Sequence, residues 1–110
     1  MDLQDNARVR ELNDAFRQTF VGGVILVTPG VEELSPQLKA RVLARVHSHD
    51  EWSDGHDPGG EHDFGTFKVD GLGFFWSINC YDRAMERGSE DRTDPQKTCR
   101  VLTVMTPEER

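Results

Sequence analysis

The sequence is poor in cysteine, in long apolar runs and, over one stretch, in basic residues. Cys80 and Cys99 are its only cysteines, and they form no C-x-x-C pair, so neither a zinc site nor a disulfide framework is signalled. Reduced thiols in a cytoplasm are the simplest reading. The longest aliphatic run, Val24 to Val27, is far too short to span a bilayer. The opening Met1-Asp2-Leu3-Gln4-Asp5-Asn6 is polar and acidic, unlike the basic-then-apolar start of a secretory signal. A cytoplasmic chain with no membrane role is the expectation.

The missing bases are more telling. Between Arg45 and Lys68 there is no Lys or Arg, but there are six acids: Asp50, Glu51, Asp54, Asp57, Glu61 and Asp63. The chain has 20 acids and 13 bases, so the remaining 14 acids and 13 bases nearly balance and nearly all of the formal charge of −7 comes from this one segment. Direct nucleic-acid binding needs basic surface to displace counterions from phosphates and is disfavoured. A protein with a basic surface is the natural partner, including one whose own ligand is DNA; a metal ion is another.

Several catalytic signatures are missing too. Gly59-Gly60 and Gly71-x-Gly73 are isolated and lack the Lys-Ser/Thr or helix start of a phosphate loop. Ser35 and Ser77 sit in no nucleophile-elbow setting. Cys80 has acidic neighbours, which disfavour the thiolate. No cofactor is implied.

What is present reads as one domain over residues 1–110, large enough to bury a core without a metal or disulfide. Val9, Leu12, Phe16 and Phe20 recur at helical spacing, with Arg8, Arg10, Glu11, Asp14 and Arg17 elsewhere on the wheel, predicting a helix from about Asp5 to Thr19 that ends at Gly22-Gly23. Val24-Ile25-Leu26-Val27 reads as a buried strand closed by Thr28-Pro29-Gly30. Ser35-Pro36 is a strong helix start, and Leu38, Val42, Leu43 and Val46 carry that helix to His47. Residues 48–60, rich in Asp, Gly, His and Ser, form a loop long enough to suspect function.

Asp70-Gly71 between two aromatic-rich runs is a two-residue hairpin signal. That turn sets Val69 opposite Leu72, Phe67 opposite Phe74, Gly65 opposite Trp76, Asp63 opposite Ile78 and Glu61 opposite Cys80. These residues share the predicted core face, where Gly65 leaves space for the Trp76 ring. A second polar connection covers residues 82–96, and Arg100 to Met105 is a last strand. The predicted fold is α+β: two helices on one face of a mainly antiparallel four-stranded sheet with a central β-hairpin.

All four histidines, His47, His49, His56 and His62, lie among the acids. Imidazole and carboxylate are good ligands for zinc, manganese or iron. However, His47 and His49 are two residues apart, where a helical metal pair needs four, and no metal motif is present. A solvated loop with incidental histidines is the expectation, and no metal site is assigned.

Glu61-His62-Asp63 resembles an acid/base cluster, to which register adds Tyr81 and Asp82 at the same rim. Strand alternation cuts against it, because Glu61 and Asp63 would share a face and His62 the other. The three converge only if the strand begins near Phe64. Trp52 reads either as an exposed contact anchor or as a cap folded back on the core.

Two blocks, Asp57-Pro58-x-Gly60-Glu61-His62-Asp63-Phe64-Gly65 and Phe75-Trp76-x-Ile78-x-x-Tyr81-Asp82, resemble an uncharacterised domain-of-unknown-function family of small alphaproteobacterial proteins. The resemblance runs from Arg10 to Met105. The family pattern has Asn before Asp57, Tyr at Gly59, Lys at Ser77, Asp at Asn79 and Tyr at Cys80, and this chain departs at each position. The resemblance implies a bacterial origin and no known activity.

The expected role is a small acidic protein-binding or inhibitory protein, mobile-element-borne and directed at a defence or DNA-binding system. Its contact residues would be Asp50, Glu51, Trp52, Asp54, Asp57 and Glu61. The alternative is a metal-dependent or acid/base hydrolase using Glu61, His62, Asp63, Tyr81 and Asp82.

Overall fold

Ser35 and Pro36 start a helix as their chemistry dictates. Ser35 Oγ accepts the Leu38 amide at 3.2 Å, satisfying one donor that a helix start leaves free. Proline at the first helical position sacrifices no hydrogen bond. The computed structural model describes residues 3–52, 57 and 59–109. In chain order its elements are α1 (Leu3–Thr19), β1 (Gly23–Val27), the one-turn α2 (Pro29–Glu32), α3 (Pro36–His47), β2 (Phe64–Val69), β3 (Leu72–Tyr81) and β4 (Cys99–Met105), followed by a 3₁₀ turn at Pro107–Glu109. The short α2 replaces the simple turn expected at Thr28-Pro29-Gly30. No helix among the described residues is long and apolar enough to cross a membrane.

The hairpin forms in the expected register. Asp70 and Gly71 both take positive φ, 53° and 80°, as a two-residue turn matched to strand twist requires. Val69 pairs with Leu72, Phe67 with Phe74 and Gly65 with Trp76. The Ile78 amide donates to Asp63 O at 2.8 Å, continuing that register one residue past the strand.

The sheet order is β1-β4-β3-β2. β3 is antiparallel to both neighbours, but β1 runs parallel to β4, so the sheet is mixed. A parallel pair needs a long crossover, and everything from α2 to β3 lies between these two strands. The hairpin therefore occupies one side of the sheet, with β2 at the edge, and is not central. β1 forms the other edge. It was expected to be buried, yet Val24 is 39% and Leu26 49% exposed, while Ile25 and Val27 pack against the core.

The helices cover one face. Phe16 of α1, Val31 of α2, and Val42 and Val46 of α3 meet Phe67, Val69, Phe74, Trp76, Ile78, Leu102 and Val104 of the sheet. Each such aliphatic or Phe side chain contributes about 1.5–3 kcal/mol when fully buried.

α1 departs from the simple amphipathic reading. It buries Val9 and Phe16 but also Asn13 and Arg17, at 1% and 2% exposure, while Leu12 and Phe20 are half-buried. It ends on Phe20 at φ 58°, a left-handed cap two residues before the glycines expected to end it.

Candidate functional site

The polar stripe of α1 organises the segment that follows α3. The last carbonyls of a helix lack partners within it. Arg17 supplies them from across the core: Nε donates to Val46 O at 3.1 Å and Nη2 to His49 O at 3.0 Å. Its Nη1 donates to Asp14 at 2.9 Å, so the buried charge is paired. One turn back, Asn13 Nδ2 donates to Glu61 O at 3.0 Å, and Arg10 Nη1 to Gly60 O at 3.3 Å. Four side chains of one helix thus hold both ends of the acidic segment.

Within the segment the rings stack inward. His49 is buried, and its Nε2–H donates to Glu51 O at 2.9 Å; burial lowers its basicity. Trp52 lies on the His62 ring, with centroids 3.7 Å apart and planes 4° apart, and meets Trp76 edge-on at 5.9 Å. The Arg17 guanidinium sits 5.1 Å from the Trp52 ring centre and 5.4 Å from that of Trp76, within cation–π range. Of the two readings of Trp52, the inward cap is the one realised.

His62 takes φ 52°, uncommon for a residue with a Cβ. Its amide donates to Asp57 Oδ1 at 2.9 Å, and its Nδ1–H reaches both Asp14 oxygens at 2.9 and 3.1 Å. Nε2 faces Asp57 Oδ2 at 3.6 Å, beyond hydrogen-bonding distance.

The strand does begin at Phe64, yet the three do not meet in one cluster: Glu61 and Asp63 lie near each other, while His62 turns away. Glu61 turns to Arg92 in a two-pronged ion pair of 2.9 and 2.7 Å. His62 turns to α1. Asp63 is half-buried, and its carboxyl is held above the usual carboxylate range by burial first and then by the nearby Glu61 and Asp57 charges. Tyr81 pairs with Cys99 and Gly88, and strand alternation puts it on the face opposite Cys80. Asp82 accepts the Glu86 amide at 3.0 Å within its own turn. The predicted rim of five is therefore divided among separate structural tasks. The position expected for Glu61 opposite Cys80 is not a strand pair, because β2 starts three residues later.

The candidate contact residues also divide. Asp50 and Glu51 are exposed and form no ion pair among the described residues. Trp52, Asp57 and Glu61 point into the fold. Asp54 lies outside the described residues, as does His56. Among the described residues no group of three His, Cys, Asp or Glu side chains is placed to hold a metal. Burial pushes the Cys80 thiol up, away from the reactive thiolate.

Asn13, Asp14, Arg17 and Arg92 were not singled out from the sequence. The first three, with Arg10, repeat at helical spacing beside the Val9-Phe16 face, a pattern that marks a second stripe needing polar partners. Nothing local marks Arg92.

A family model described as a protein of unknown function, DUF3768, matches residues 27–109. The match takes in the Asp57–Asp63 segment and three of the four strands, while the α1 side chains that hold that segment precede it. No curated protein and no solved structure matches.

Proposed function

We propose, for a chain that belongs to the DUF3768 family of proteins of unknown function, an interaction role: it binds a partner of basic surface through Asp50 and Glu51. The observation that carries this reading is their placement between two anchors. His49 on one side is buried, and Trp52 on the other is stacked on His62, so two carboxylates without an ion pair among the described residues are held between fixed neighbours. Pre-ordering lowers the entropy lost on association, and like charges side by side raise the encounter rate with a cationic surface. The neighbouring Asp54 extends the same run in sequence. An inhibitor of a defence or DNA-binding protein is the specific form this role takes, since such a target carries basic surface complementary to the acids.

The test is capture from host extract on immobilised protein, comparing the native chain with the double variant D50K/E51K. Both side chains are exposed, so the variant should melt with the native chain. A specific partner should be retained at low salt, on the order of 0.05 M, released near roughly 0.5 M, and lost to the variant. Equal retention of every captured protein by both forms would end the proposal.

A second reading, an acid/base hydrolase, is favoured by one feature: a half-buried Asp63 near Glu61, its carboxyl raised first by burial and then by the Glu61 charge, the direction a general acid needs. Its test is turnover of chromogenic esters, phosphates and glycosides by the purified protein and by Asp63→Asn. Rates equal to buffer alone dispose of it.

A further inference from the structure

Arg100 carries a buried charge that has no ion-pair partner among the described residues. It stands on the helix-covered face of β4, 4% exposed. Nε donates to Asn13 Oδ1 at 2.8 Å and Nη2 to Arg92 O at 2.7 Å, both neutral acceptors. Among the described residues it forms no ion pair. The charged side chains whose fields reach it are Arg92 and Arg8, both cationic, together with the Cys80 thiol, which burial keeps protonated. A guanidinium does not lose its proton in a protein, so the positive charge persists. Buried charges are ordinarily paired, and the other buried arginine, Arg17, has Asp14.

Arg100 forms part of the wall of a groove of about 450 Å³ between α1 and the polar connection ahead of β4. Leu12, Phe16, Val21 and Pro95 make its sides largely apolar, and Thr19 adds one hydroxyl. Val21 stands 75% exposed at this groove, an apolar side chain left in water. The volume falls within the range of about 300–1,000 Å³ typical of small-molecule sites, which combine apolar walls with one or two orienting polar groups.

We propose that this groove binds a small organic monocarboxylate with an apolar body, its carboxylate paired with Arg100 and its hydrocarbon against Leu12, Phe16 and Pro95. Charge complementarity selects the anion: one guanidinium, already committed at Nε and Nη2, has donors left for a carboxylate. A phosphate dianion would need more donors and would strand charge against apolar walls. The site is separate from Asp50 and Glu51 and does not depend on their role.

The probe is octanoate, with octan-1-ol as its neutral counterpart, titrated into isotope-labelled protein and followed by amide and arginine Nε–H resonances. Octanoate should produce saturable shifts at Leu12, Val21 and the Arg100 Nε–H, with a dissociation constant on the order of 1 mM or tighter. Octanol should bind at least about tenfold more weakly, the factor expected from loss of one charge-assisted pair. Arg100→Met should cost octanoate the same factor. Because Arg100 also ties α1 to β4, Val21→Glu serves as a second variant: it places a like charge at an exposed position, leaves the fold intact and should weaken octanoate while sparing octanol. The proposal is overturned by absence of saturable shifts in the native chain at about 10 mM octanoate, by shifts confined to other surfaces, by octanol binding within tenfold of octanoate, or by unchanged octanoate affinity in Val21→Glu.

Discussion

The indole of Trp52 lies parallel to the imidazole of His62, with centroids 3.7 Å apart, and His62 in turn is tied to Asp14 of α1 at 2.9 Å. The relay from ring to ring to helix ties Trp52 and His62, at the two ends of the acidic, glycine-rich stretch, to the folded body. Trp52→Ala removes the stack and the Arg17 cation–π contact. It should destabilise the chain by about 2–3 kcal/mol, below the usual cost of emptying a fully buried Trp site because this ring is half-buried. Urea unfolding checks it. A midpoint unchanged from the native chain would mean that the stack contributes nothing.

Gly65 sits where no side chain fits. A Cβ there would meet the Trp76 indole nitrogen and lie 2.7 Å from His49 Cε1. Gly65→Ala should cost about 1–3 kcal/mol through overpacking and alter the near-ultraviolet tryptophan signal. A variant with native stability and spectrum would show that the two rings yield freely.

Asp63 is a carboxylate the fold holds at a disadvantage. Its folded-state pKa is raised, by burial before the Glu61 and Asp57 charges, so the native state binds its proton more tightly than the unfolded chain does. Stability from this group is fully present below the unfolded value of about 3.8 and declines as pH rises through the folded value. Asp63→Asn should therefore raise the melting temperature at pH 7, and the advantage should shrink towards zero below pH 3.8. Thermal melts across that range decide it; a variant less stable at pH 7 would contradict it.

Glu109 has the opposite sign. Its carboxylate accepts from the Thr28 and Thr106 hydroxyls and the Gly30 amide, which together hold its pKa at about 2. Its contribution is present above the unfolded value of 4.5 and is lost as pH falls through about 2. Glu109→Gln should lower the melting temperature at neutral pH, and the gap should close with acidification. A constant gap from pH 7 to pH 2 would show that charge is not the cause.

The hairpin and α3 were legible because their signals are local. Asp70-Gly71 prescribes its own dihedrals, and a two-residue turn sets every pairing out to Asp63. Ser35-Pro36 marks a helix start with two adjacent residues. The candidate site was only partly legible. Its residues were visible as a dense acidic and histidine-rich segment, but with His62 in a left-handed conformation Glu61 pairs with Arg92 and His62 with Asp14. No alternation rule anticipates that turn.

Short-range chemistry was enough to determine the two longer helices, where the chain reverses and the register of the hairpin, since each depends on neighbours a few positions away. Long-range packing decided the rest: the parallel pairing of β1 with β4, the burial of Arg17 and Arg100 among carbonyls of distant elements, and the pairing of Glu61 with Arg92. These contacts join groups about 8 to 77 positions apart, and a polar side chain finds its partner only when the whole core has brought the two within 3 Å.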